Sequence, residues 1–139
     1  MITSFRDEHA FLSNFQGGVE VAYQAAKFTK EHANIAKMII AENNPGKAKK
    51  LARELRSFVR EDWNEVNLGI MESLVREKFQ YEPFKRLLLA TGEAMIIEGN
   101  SWGDSYWGCI LENGEWVGEN RLGKILMKIR EELRSENQR

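Results

Sequence analysis

The sequence lacks most of the markers by which metal-dependent, nucleotide-hydrolysing and secreted chains are known. It has one cysteine, Cys109, so no internal disulfide can form. A reducing compartment is the expected home. Its two histidines, His9 and His32, lie far apart, and with a single cysteine no metal-ligand spacing arises. No metal and no other cofactor is expected. There is no Walker loop, no dinucleotide glycine fingerprint and no GxSxG elbow. No apolar run approaches the ~20 residues needed to cross a bilayer. The start, MITSFRDEHAF, lacks the basic head and apolar stretch of a signal peptide. The expectation is a cytoplasmic protein without membrane contact. The formal net charge is −1, which excludes a global basic field for nucleic acid and leaves only a local patch.

What is present suits one compact α+β domain over residues 1–139, mainly helical, with a small strand or hairpin element. Hydrophobic residues make up 42% of the chain, enough for a core, and only two prolines interrupt it. After the turn signal Gln16-Gly17-Gly18, a first helix is predicted from 19 or 20 up to Asn43-Asn44-Pro45-Gly46. Its many alanines imply close approach of another element. Glu20, Gln24 and Lys27 share one stripe of it, spaced four and three apart.

A second helix, 47–59, carries Lys47, Lys49, Lys50, Arg53 and Arg56, with Arg60 just beyond. It is either a solvated face or a phosphate-facing edge. Asp62 or Asn64 is placed to cap a third helix, with Val66, Ile70, Leu74 and Val75 inward. Phe84 and Leu87 to Leu89 predict a short buried helix ending near Thr91-Gly92. Residues 94–98 read as a buried strand. Residues 107–112 and Trp116-Val117 read as a hairpin about Asn113-Gly114. Leu122, Ile125, Leu126, Ile129 and Leu133 mark the last helix, with a charged tail, 134–139, expected to fray.

A few polar residues keep unusual company. Glu20 opens a helix directly after two glycines. Asp104 stands among Trp102, Tyr106 and Trp107 in GNSWGDSYWGC, a stretch too rich in glycine for a regular helix. Trp63 follows Arg60-Glu61-Asp62, and Asn120 precedes Arg121-Leu122-Gly123. Plain structural roles stand beside functional ones. Asp104 suits a turn cap, Glu20 a first-turn acid favoured by the helix dipole, Trp107 and Trp116 core packing, and Cys109 a small buried filler.

Five blocks together resemble the NADAR, or YbiA-like, family: FLSNF at 11–15, VEVAYQAAKF at 19–28, VREDWNEVNLGIM at 59–71, LLLATGEAMIIEGNSWGDSYWG at 87–108 and GENRLGKILMKIR at 118–130. They occur in family order and span nearly the whole chain. The resemblance implies a compact, mainly helical fold and N-glycosidase chemistry, the hydrolysis of a bond between ribose C1′ and nitrogen. The substrates it implies are phosphorylated riboflavin-pathway intermediates with ribosylamino groups, or ADP-ribosylated guanine in nucleic acid. Carried over by motif position, it marks Glu20, Asp104 and Lys27 as catalytic. Tyr23, Gln24, Trp63, Trp107 and Asn120 are marked as substrate-binding; Asn14, in the FLSNF block, and Arg60, at the end of the basic stretch, are further substrate-binding candidates. The chain departs from the family in two places. The family has a longer segment, often a hairpin, where only Gln16, Gly17 and Gly18 stand here. Val21 occupies the position where histidine commonly follows the glutamate.

The chemistry accounts for such a set. Departure from C1′ leaves a flat cationic centre, which a fixed carboxylate stabilises or helps water to attack. Glycoside hydrolases meet the same need with two carboxylates, and Glu20 and Asp104 supply two. Lys27 suits a phosphate or the tuning of Glu20, and the indoles suit stacking on a planar base. Two other readings are a non-catalytic ADP-ribose or nucleotide-binding module, and an interaction domain whose basic second helix docks an acidic partner.

Overall fold

The computed structural model describes residues 1–138, which group into two compact units. One comprises residues 14–78 and is wholly helical; the other comprises residues 1–13 and 79–138 and holds the strands.

In the helical unit, α1 is Val19–Ala25, α2 Ala33–Glu42, α3 Pro45–Glu54 and α4 Trp63–Lys78, with single turns of 3-10 helix at Lys30–His32 and Arg56–Phe58. The single long helix expected from 19 to 42 is therefore two. Beyond Ala25 the turns tighten, with the Lys27 and Phe28 amides donating to Gln24 and Ala25 carbonyls. The Lys27 carbonyl is claimed from outside, by the Arg60 N–H at 2.8 Å. Helix periodicity continues through this break in the sequence, but that backbone bond does not register there. The bend lets Val21, Ala25 and Phe28 join Ile35 and Ile39 of α2 and Ala48 and Ala52 of α3 in one core. The alanines let helix backbones approach closely, as the sequence predicts.

The helix α3 starts two residues earlier than expected. The Asn44 side chain accepts from the Lys47 N–H at 3.0 Å, and Pro45 occupies the first turn, where its missing donor costs nothing. On α4 the buried positions are Asn67, Met71, Val75 and Lys78; Val66, Ile70 and Leu74 are half-buried.

In the mixed unit, α5 is Phe84–Ala90, β1 Gly99–Asn100, β2 Cys109–Glu112, β3 Glu115–Val117 and α6 Arg121–Asn137, with a 3-10 segment at Asp7–Leu12. The sheet order is β1-β2-β3, the first pair parallel and the second antiparallel. The hairpin turn is where the sequence places it, with Asn113 and Gly114 both at positive φ. The strand expected over 94–98 is reduced to one bridge between Ile2 and Ile96, fixed by backbone bonds of Ile2 to Met95 and of Ile97 to Ile2, each 2.8 Å. The N-terminal residues supply that partner, which local sequence does not reveal.

Helix α6 buries Leu122, Ile125, Leu126, Ile129 and Leu133 and packs on α5. It continues to Asn137, so fraying from Arg134 is not observed. Arg134 is tied to the Gly92 carbonyl at 2.7 Å and to Glu131 at 2.8 Å. Arg139, the end of that predicted tail, lies outside the described residues. No helix among the described residues is long and apolar enough to cross a membrane.

Candidate functional site

The helical unit holds seven of the predicted residues, Arg60 among them. The short link before α1 turns through Gly17 and Gly18, both at φ +77°, a conformation open to glycine. The Glu20 N–H donates to the Asn14 carbonyl at 3.0 Å, which closes the link and sets Glu20 in the first helical turn. The Asn14 amide also lies 3.4 Å from the Met71 sulfur. Glu20 is buried, and one of its oxygens accepts from the Gln24 side-chain amide at 2.9 Å, one turn along. Gln24 is only 5% exposed, and its own Oε1 has no hydrogen-bond partner among the described residues.

Lys27 completes the stripe. Its ammonium lies 5.6 Å from the Tyr23 ring centroid and 5.7 Å from that of Trp63, within cation–π range. Those two rings are tilted against each other with centroids 5.0 Å apart. Burial pushes the Lys27 amine below the usual lysine range; the Glu20 carboxylate raises it in part, and Lys49 lowers it further. Burial wins over the favourable charge, so this amine gives up its proton more easily than a surface lysine. Lys49 comes from α3, where its ammonium lies 5.7 Å from the Phe15 ring.

Arg60 is joined to this group through its backbone bond to Lys27, but its guanidinium is already engaged. Asp62 accepts from it with both oxygens, one bond being 2.9 Å. The guanidinium holds the Asp62 carboxyl below the usual carboxylate range. The sequence marks Arg60 as a phosphate ligand; the structure gives it a carboxylate partner two residues away. On the basic helix, Lys50 and Arg53 are exposed and Lys47 is paired with Glu42 at 2.8 Å. Asn67 was not singled out from the sequence. Its buried amide donates to the Trp63 carbonyl at 2.9 Å and steadies the turn that carries the indole.

The remaining predicted residues belong to the mixed unit. In the 99–108 loop, Asp104 Oδ1 accepts from the N–H groups of Tyr106 at 3.1 Å and Trp107 at 2.9 Å. This is the turn-capping geometry open to an aspartate at that place. The loop is pinned from below by Asn100, which accepts from the Asp104 N–H at 2.9 Å and donates to the Asp104 carbonyl at 2.8 Å. Tyr106 and Trp107 meet edge to face with centroids 5.0 Å apart, and the Arg121 guanidinium lies 3.9 Å from the Tyr106 centroid. Trp102 is exposed, whereas Trp116 covers Gly99.

Asn120, marked by the sequence as substrate-binding, has both ends of its amide occupied by backbone. It accepts from the Glu98 N–H at 3.0 Å and donates to the Ile96 carbonyl at 2.9 Å. The structure thus uses it to hold the 96–98 segment against the start of α6. Cys109, the first residue of β2, is buried, and that burial together with the Glu98 charge pushes the thiol up. Both features suit a packing residue and not a nucleophile.

The NADAR domain family model matches residues 7–134. A riboflavin biosynthesis protein of Vibrio vulnificus is 34% identical over 139 residues, covering 91% of this chain and 36% of that protein. An N-glycosidase of Nostoc punctiforme is 40% identical over 119 residues, 84% of this chain and 74% of that one. The N-glycosidase YbiA of Escherichia coli is 35% identical over 112 residues, 80% of this chain and 66% of that one. The NMR structure of Escherichia coli YbiA superposes with a TM-score of 0.80 at 30% identity, covering 99% of this chain and 87% of that one. The chain therefore spans about a third of the Vibrio protein's length.

Proposed function

Because the chain belongs to the NADAR domain family, we propose that it is an N-glycosidase, hydrolysing the bond between ribose C1′ and the nitrogen of a phosphorylated ribosylamino heterocycle. One observation carries this reading: a buried carboxylate, Glu20, is held by the Gln24 amide on the same helical stripe as an amine flanked by two aromatic rings. The group sets polar side chains beside two rings, of which Tyr23 is also a core residue. Its components suit a sugar that becomes cationic and carries a phosphate.

In the proposed reaction the C1′–N bond breaks with its electron pair going to nitrogen, which gains a proton. Water adds to C1′ and loses a proton, leaving a reducing sugar and a free amine. The Glu20 carboxylate stabilises the developing charge at C1′ or takes the proton from water. Its burial strengthens that field, because little solvent screens it. Lys27 supplies a positive charge to the phosphate. Tyr23 and Trp63 offer flat faces for the substrate. Asp104, in the mixed unit, is the second acid that the sequence motif offers; its Oδ1 caps the turn that carries Trp107.

The name of the Vibrio relative supports a ribosylaminopyrimidine phosphate as the first substrate to test. ADP-ribosylated guanine is the second, favoured by the exposed Lys50, Arg53 and Arg56 on and after α3, which suit a polyanion. Incubation with each, followed by mass spectrometry, is expected to reveal products from at least one: the free aminopyrimidine with ribose 5-phosphate from the first, or unmodified guanine with ADP-ribose from the second. Unchanged substrate in both, with a folded protein, would leave the binding-module and interaction-domain readings.

A further inference from the structure

An amide side chain with one end used and the other empty is uncommon in a protein interior, where buried polar atoms are paired. Gln24 is such a side chain: it is 5% exposed, its Nε2 donates to Glu20 at 2.9 Å, and its Oε1 meets no donor among the described residues. The orientation is not interchangeable. A carboxylate only accepts, so the NH₂ end must face Glu20 and the carbonyl end must point away from it. The Glu20 carboxylate therefore fixes an unspent acceptor beside itself. An acceptor so placed costs stability unless a ligand brings it a donor.

We propose that Gln24 reads the sugar: its Oε1 accepts the 2′-hydroxyl hydrogen of the ribose whose C1′ is set against Glu20, making the protein selective for ribosyl over 2′-deoxyribosyl N-glycosides. The inference rests on the N-glycosidase reading and deepens it. Three groups adjoin C1′ in such a substrate: the ring oxygen, the scissile nitrogen and the 2′-carbon. The ring oxygen has no hydrogen to give. The scissile nitrogen of a ribosylamino group carries an N–H, but that donor departs with the base and is common to ribosyl and 2′-deoxyribosyl substrates. The 2′-hydroxyl is the donor that belongs to the sugar, and the ribose-against-deoxyribose comparison isolates it. Its hydrogen bonds strengthen as positive charge develops at C1′, a recognised source of transition-state stabilisation in glycoside hydrolysis.

The 2′-oxygen withdraws electrons from C1′, so a deoxy sugar ionises more readily in water. Any preference for ribose must then come from the protein. Sites built to bond a hydroxyl reject the analogue that lacks it by ~10⁴-fold or more, because the buried polar partner is stranded.

The test compares kcat/KM for a ribosylaminopyrimidine 5′-phosphate and its 2′-deoxy counterpart in the wild type and in Gln24→Met. Methionine keeps the length and removes both polar ends. Loss of the bond to Glu20 affects both substrates alike and cancels in the ratio. The ribose-to-deoxyribose ratio is expected to fall by at least about 10²-fold, mainly through lost ribose turnover. A ratio unchanged within about threefold, with the wild type active, overturns the role of Gln24 and leaves the N-glycosidase reading standing. No turnover of any ribosyl substrate by the wild type overturns both. Should the variant not fold, calorimetry on the wild type decides: ribose 5-phosphate is expected to bind at least about tenfold more tightly than 2-deoxyribose 5-phosphate, and equal affinity refutes the proposal.

Discussion

The proposed chemistry rests on single side chains whose roles can be separated from their structural duties. Glu20→Gln retains an acceptor for the Gln24 amide and removes the charge. Turnover is expected to fall by ~10²-fold or more, while the melting temperature stays level or rises, since a buried charge has been removed. Asp104 needs two variants, because its carboxylate also caps a turn. Asn at this position preserves an oxygen for both backbone N–H groups; Ala does not. If the charge serves the reaction, Asp104→Asn loses turnover without loss of stability. Asp104→Ala is expected to cost in addition ~1–2 kcal/mol by thermal or denaturant melting, from two abandoned donors. Normal turnover in a folded Asp104→Asn protein would leave the carboxylate chemistry to Glu20 alone. Lys27 gives a pH test. Burial lowers its pKa, so activity that needs the ammonium is expected to decline at a pH below the ordinary lysine range. Lys27→Arg keeps the charge and should move that alkaline limb upward; an unmoved limb assigns it to another group.

At the scale of elements, the backbone around the loops and helix ends sets where those side chains stand. Gly108 lies where an added methyl would overlap the Glu98 backbone carbonyl. Gly108→Ala is therefore expected to destabilise by ~3 kcal/mol or more, read as a lowered denaturation midpoint, because rigid backbone must shift. The last residue of α4, Lys78, is buried, and that burial pulls its amine from the ordinary 10.5 down to about 7. Its folded pKa is below its unfolded one, so between about 7 and 10.5 the unfolded chain binds more protons and stability rises with pH. Lys78→Met removes this contribution. Its gain in stability over the wild type is expected to be greatest below pH 7 and to shrink toward pH 10; a constant difference would contradict the account.

Elements governed by local chemistry were legible in the sequence. The Asn113-Gly114 hairpin, the Leu-rich α5 and the apolar stripe of α6 are where turn residues and helical spacing put them. Elements decided by distant backbone bonds were not. The break after α1 depends on Arg60 claiming the Lys27 carbonyl, and the shortened strand near Ile96 depends on Ile2.

For the molecule as a whole, one family model runs through both compact units, from residue 7 to 134. The five motif blocks made that membership readable before any geometry, because order and coverage compensate for the weakness of each block. Within the candidate site, the pairing of Glu20 with Gln24 was readable from their spacing on one helix, whereas Lys27 follows in the tightened turn beyond α1. The pairing of Arg60 with Asp62, the capping by Asp104 and the backbone clasp of Asn120 were not readable, because polar residues offer several partners and only the fold selects among them. The near-zero net charge places the burden of binding on local groups, not on a long-range field.

The most direct measurement is product identification by mass spectrometry after wild-type and Glu20→Gln proteins have each been incubated with a ribosylaminopyrimidine 5′-phosphate and with ADP-ribosylated guanine. The account predicts, on at least one substrate, equal amounts of the two cleavage products from the wild type (free aminopyrimidine and ribose 5-phosphate, or unmodified guanine and ADP-ribose), and at least about 10²-fold less from the variant at matched folded concentration. Equal turnover by the two proteins, or intact substrate throughout, would contradict it.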